Sequence, residues 1–189
     1  MALQPDRGSR PPARTSPALS GIWVVIAAIT MSFAAFTSSL IIRQASGADW
    51  RHLTLPGILY LNSVILLMSS LTLEIARRKS ISNLAGMRSW LYLTLALGSA
   101  FLAGQAFAWH QLRAEGLYLA TSPNSSFFYV LTVLHALHIL GGLFGFIHVI
   151  RRTASASVLR IATVDAAAVY WHFLAALWVY LLLLLHTRL

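Results

Sequence analysis

Residues 126–150 read SFFYVLTVLHALHILGGLFGFIHVI, 25 residues without one Asp, Glu, Lys or Arg. A helix needs about 20 mostly apolar residues to cross a hydrocarbon core roughly 30 Å thick. Four further stretches meet that requirement: Gly21–Ile42, Leu55–Ala76, Trp90–Leu112 and Ile161–His186. The expected fold class is therefore all-α, a polytopic membrane protein with a bundle of five transmembrane helices. Composition agrees, with 58% hydrophobic and only 10% charged residues, against about 25% charged in a typical soluble domain.

The formal net charge of +9 raises the possibility of nucleic acid, which requires basic residues gathered on an exposed face. Here they sit in the gaps between apolar runs, a pattern of membrane topology, and no nucleic-acid partner is expected. Arg7, Arg10 and Arg14 precede the first span; Arg77, Arg78, Lys79 and Arg88 follow the second; Arg151, Arg152 and Arg160 follow the fourth. Those ten share one side, leaving Arg43, Arg51, Arg113 and Arg188 for the other. The excess of Lys and Arg on cytoplasmic loops places the N-terminus in the cytoplasm and the C-terminus in the periplasm.

Two parts are expected: a basic, disordered cytoplasmic tail over Met1–Ser20, rich in Pro, Arg and Ser, and a single transmembrane domain over Gly21–Leu189. The first span is too long and too far along the chain for a cleaved signal segment. Pro56 with Gly57 suits the first turn of the second helix, Asn83 with Gly86 a turn in the second connection, and Asn124 or Ser125 a cap on the fourth helix.

No acid lies deep in a span. Glu74 falls in the last turn of the second helix, three and four residues before Arg77 and Arg78, so the three share a face as an ion-pair cluster at headgroup level. Six of seven histidines, His110, His135, His138, His148, His172 and His186, lie in or at the ends of spans. One reading is haem b held between facing helices. His172 and His186 return within roughly 40° on a helix, whereas His135 and His148 are roughly 140° out of phase. The other reading is interhelical hydrogen bonding, with His135 and His138 as a polar strip facing a neighbour and Gly141 with Gly145 admitting a close helix. The chain has no cysteine, and nucleotide-loop, HExxH and G-x-S-x-G patterns are absent. Together these absences favour a membrane scaffold over an enzyme that does its chemistry unaided.

The spans resemble subunit III of the haem–copper terminal oxidases, in its short five-helix bacterial form. Helix two supplies LP…N…LL…SS…T (Leu55, Pro56, Asn62, Ser69, Ser70, Thr72); helix three supplies Leu97, Gly98, Phe101, Leu102 and Gln105. Helix four supplies Phe127, Phe128, Thr132, His135, His138 and Gly142, and helix five YWHF with Trp178 and Tyr180. LHALH followed about 30 residues later by YWHF, in that order in consecutive helices, is the specific signal. The resemblance implies structural signature residues at Gln105, His110, His135, His138, Tyr170, Trp171, His172 and Phe173. It implies no catalytic or metal-binding residue and no cofactor in this chain, haem and copper in partner subunits, and bound phospholipid. The implied partners are oxidase subunit I above all, then subunit II, small subunits and membrane lipids, in a bacterial plasma membrane.

The implied role is a non-catalytic subunit of a proton-pumping oxidase, supporting assembly, stability, lipid binding and proton uptake. Two family carboxylates are replaced, by Ile29 and Ala108, and Ala175 stands where the family often has Asp or Gly. The rival readings are a membrane cytochrome b using His172 and His186, and an accessory subunit of a nitric oxide reductase.

Overall fold

The computed structural model describes residues 17–46, 55–79, 84–118, 122–152 and 157–188. Those residues form five helices and no strand: α1 (Pro17–Ser46), α2 (Ile58–Lys79), α3 (Leu84–Ala114), α4 (Pro123–Arg152) and α5 (Ser157–Arg188). All five are long and apolar enough to cross a membrane. Most extend beyond the apolar stretches that announce them, because backbone hydrogen bonding continues into the interface after hydropathy has fallen. Helix α1 begins at Pro17, inside the stretch Met1–Ser20 expected as a tail; residues 1–16 lie outside the described residues.

The helix ends correct three local expectations. Pro56 and Gly57 precede α2, and their carbonyls accept hydrogen bonds from the Leu59 and Tyr60 N–H groups at 3.1 and 3.2 Å. Gly86 lies inside the first turn of α3, while Asn83 lies outside the described residues. The cap of α4 is Ser122. Its Oγ accepts from the Ser125 N–H (3.3 Å) while Ser125 Oγ accepts from the Ser122 N–H (3.1 Å). This reciprocal capping satisfies two otherwise orphaned donors, with Pro123 in the first helical position where no N–H is required. At the end of α3, Gly116 adopts φ +81°. Leu117 N–H then reaches Leu112 O and Gly116 N–H reaches Arg113 O, both at 3.0 Å, the paired bonds that close a helix through a left-handed glycine.

The helices α2, α3, α4 and α5 form a ring in which each packs on the next and α5 closes back on α2. Helix α1 lies outside this ring, against α5 and α4. It buries a narrow stripe, Ile26, Ile29, Phe33 and Leu40, at the three- and four-residue spacings of one helix face. The other faces of α1, and Leu61, Val64 and Leu71 of α2, remain apolar and exposed. In water such a surface would drive aggregation; in a membrane it is the face lipid or a partner helix covers. The chain is a multi-pass membrane protein.

Candidate functional site

A row of polar side-chain contacts joins α2 and α5. Trp178 Nε1 donates to Ser63 Oγ and Trp171 Nε1 to Ser69 Oγ, each at 2.9 Å. Ser70 Oγ is bonded to His172 Nδ1, and Tyr60 Oη to His186 Nδ1 at 3.1 Å. From Tyr60 to Ser69 on α2 the partners run back from His186 to Trp171 on α5, so the helices are antiparallel. Serines on one helix thus satisfy indole and imidazole nitrogens on the other, which bilayer hydrocarbon cannot do.

Trp171 is the centre of this seam. It is fully buried and lies in a slot between Gly98 of α3 and Gly142 of α4. A Cβ on Gly98 would come within 2.9 Å of the indole, as would one on Gly142. Phe146 packs against the ring in a tilted arrangement, 4.7 Å between centroids. The close approach expected at Gly141 and Gly145 is therefore made at Gly142 instead. A Cβ on Gly145 would meet nothing within 4 Å; both expected glycines line an open groove of about 440 Å³ beside α1.

One layer along, the α2–α3 contact is closer still. The Asn62 carboxamide lies over Gly104, where a Cβ would fall 2.0 Å from Oδ1, and Asn62 Nδ2 donates to Phe101 O at 3.2 Å. Sequence reading missed Gly104; the available signal was a glycine inside an apolar span, with Asn62 as the polar residue of the neighbouring span.

The two central histidines face different neighbours, so they do not form one strip. His135 is fully buried between Phe101 (6.0 Å between centroids) and Trp178 (5.1 Å). His138 turns towards α1, where Phe33 packs at 5.9 Å, and its Nδ1 is 2.7 Å from Leu134 O. Tyr170 Oη donates to His138 O at 3.1 Å. Phe173 is half-buried against the core, Gln105 is fully buried, and His110 is exposed near the end of α3. Ile29 and Ala108 are both buried in the apolar core.

At the end of the bundle bearing Arg77, Arg78 and Lys79, Glu74 accepts two bonds from Arg77 (2.7 and 2.9 Å) and one from Arg78 (2.9 Å). The fold adds two residues that sequence reading had left apart. Asp165 of α5 lies 3.5 Å from Arg77, and His172 Nε2 lies 3.7 Å from Glu74. Each exposed pair contributes about 0–1 kcal/mol, so the cluster fixes the α2–α5 register at the interface more than it supplies stability.

A haem held within the bundle would need opposed imidazoles on facing helices. Both His172 and His186 turn to α2, which carries no histidine, so no opposed imidazole faces either ring across that seam. The His135 ring is enclosed by two aromatic side chains. Among the described residues, no cluster of three His, Asp or Glu side chains has the arrangement to hold a metal ion.

Comparison with known proteins gives a match to cytochrome c oxidase subunit III over residues 19–187. A probable cytochrome c oxidase subunit 3 from Nocardia farcinica is 38% identical over 97 residues, covering 50% of this chain and 47% of the relative. The cytochrome c oxidase subunit 3 of Corynebacterium diphtheriae is 30% identical over 172 residues, covering 84% of this chain and 82% of the relative. That of Synechocystis is 34% identical over 161 residues, covering 80% and 66%. The matched part of the chain thus spans between about half and about four fifths of these relatives.

Proposed function

The chain belongs to the cytochrome c oxidase subunit III family, a subunit III of the haem–copper oxidases, and from that premise we propose that it is a non-catalytic companion packing on oxidase subunit I in a bacterial plasma membrane. One observation carries this reading: the signature side chains Tyr170, Trp171 and His172 are all spent on contacts between helices. The chain organises helices and leaves haem and copper chemistry to its partners. It sustains assembly and stability of a proton-pumping complex during aerobic electron transport.

Two finer roles belong to the same proposal. Phospholipid chains occupy the grooves flanking α1. One is the groove of about 440 Å³ beside Gly141 and Gly145. Another, of about 360 Å³, is lined by Phe36, Val133 and Leu137, with Arg113 and Tyr129 in its wall. Any help with proton uptake comes from the basic end, where Glu74, Asp165 and His172 stand together, because the positions of Ile29 and Ala108 hold no acid.

The test is purification of the tagged chain from native membranes in mild detergent. A haem–copper subunit I is expected to copurify, and the chain separated from it is expected to be colourless. A nitric oxide reductase as the main partner would replace this reading. A Soret band in the isolated chain that disappears in His172→Ala would restore the cytochrome reading.

Orientation is checked independently, since a chain without cysteine accepts single reporters. Glu115→Cys is expected to react with a membrane-impermeant maleimide in intact cells, and Arg151→Cys only after permeabilisation. The opposite pattern inverts the proposed topology.

A further inference from the structure

We propose that the centre of the bundle is a built hydration site, in which ordered water bridges Gln105 of α3 and His135 of α4. Both residues are fully buried, and among the described residues neither side-chain nitrogen of His135 nor either amide atom of Gln105 has a hydrogen-bond partner. The surrounding polar groups are already committed. Trp109 Nε1 donates to Thr132 Oγ1 at 3.1 Å, Trp178 Nε1 to Ser63 Oγ at 2.9 Å, and Asn62 Nδ2 to Phe101 O at 3.2 Å.

The two unpartnered side chains belong to one seam. Phe101 packs on His135, and Trp109 bonds Thr132. Gln105 lies one turn from each of those α3 residues, and Thr132 is three residues before His135. The α3–α4 contacts therefore bracket Gln105 between the levels of His135 and Thr132. A buried amide and imidazole left without partners are costly in hydrocarbon, where lipid offers no substitute.

The donor set selects the ligand. A glutamine amide brings two N–H donors and one carbonyl acceptor, and a neutral imidazole brings one of each. The side chains around them, Phe101, Thr132, Trp109 and Trp178, carry no charge. Neither a cation nor an anion finds a counter-charge there, whereas water both donates and accepts and is the usual occupant of buried polar gaps. A direct Gln105–His135 bond would use one atom of each side chain and leave the other two unpaired.

The experiment is water-edited solid-state NMR on the full chain in lipid bilayers with ¹⁵N-labelled histidine. One buried ring signal, identified by its loss in His135→Phe, is expected to gain intensity by transfer from water and to lose that transfer in Gln105→Leu. The other histidines keep theirs. Absence of transfer to His135 in the unaltered chain overturns the proposal without reliance on any variant. Transfer undiminished in a folded Gln105→Leu overturns the bridge. A high-resolution density map of the unaltered complex gives a second readout: a peak within hydrogen-bond distance of both side chains is expected, and direct contact between them refutes it. None of these outcomes depends on which complex the chain joins.

Discussion

Gly104→Ala is expected to lower the unfolding free energy by about 2–4 kcal/mol, although it adds a single methyl group. The new Cβ would lie 2.0 Å from Asn62 Oδ1 and 2.8 and 2.9 Å from the carboxamide carbon and nitrogen. The whole amide must therefore move, not merely its tip. Asn62 is 1% exposed, so it has no free volume to enter, and moving it breaks the bond to Phe101 O. Overpacking and a newly unsatisfied buried amide then act together. Denaturant titration of the chain in mixed micelles measures the effect. The double variant Asn62→Ala/Gly104→Ala is expected to lie closer to the unaltered chain than Gly104→Ala alone, because the clash is gone. A single variant within about 0.5 kcal/mol of the parent, the range of an ordinary surface change, would contradict this account.

Trp171→Ala is expected to cost about 3–5 kcal/mol, the usual range for truncating a large aromatic side chain in a core. The indole fills the slot between Gly98 and Gly142 and touches Phe146. Its removal leaves a cavity that two helix backbones must collapse to fill, and it strips the fully buried Ser69 hydroxyl of its indole donor. Trp171→Phe is expected to lose less, since it retains most of the ring volume and gives up the hydrogen bond. Gly142→Val approaches the same slot from the opposite wall and is expected to displace the indole. The order Trp171→Ala worse than Trp171→Phe in a thermal melt of the purified complex checks the volume argument; equal losses would assign the effect to the hydrogen bond alone.

These sites differ in how far the sequence announces them. Five spans were legible because each is a local property, an apolar run of sufficient length. Helix ends were less so, because Ser122 caps α4 through a reciprocal bond with Ser125, and Asn124 is as good a capping residue in isolation. The Glu74, Arg77 and Arg78 positions were visible from helical spacing, and their contacts follow it. Asp165 was not, since it joins them from 88 residues away, the difference between positions 77 and 165.

The same distinction governs the central seam. Trp171 and His172 were noted as signature residues, but their partners Ser69 and Ser70 lie 102 residues earlier. No periodicity links a serine on one span to an indole on another. The glycines divide in the same way: spacing favoured Gly141 with Gly145, whereas the residue actually abutted by a neighbour is Gly142. Small side chains permit close approach, and only the neighbour's bulky side chain decides which of them is used.

The closure of the ring by α5 on α2 also bears on biosynthesis. Helix α5 leaves the ribosome after the other four, yet it carries the indole and imidazole groups that fix the register of the bundle. A nascent chain halted after α4 would hold Ser63 and Ser69 bonded to no indole, and Gly98 and Gly142 facing an unfilled slot. Such a product would keep the α2–α3 contact of Asn62 with Phe101 and Gly104 but lack the side chains that close the ring.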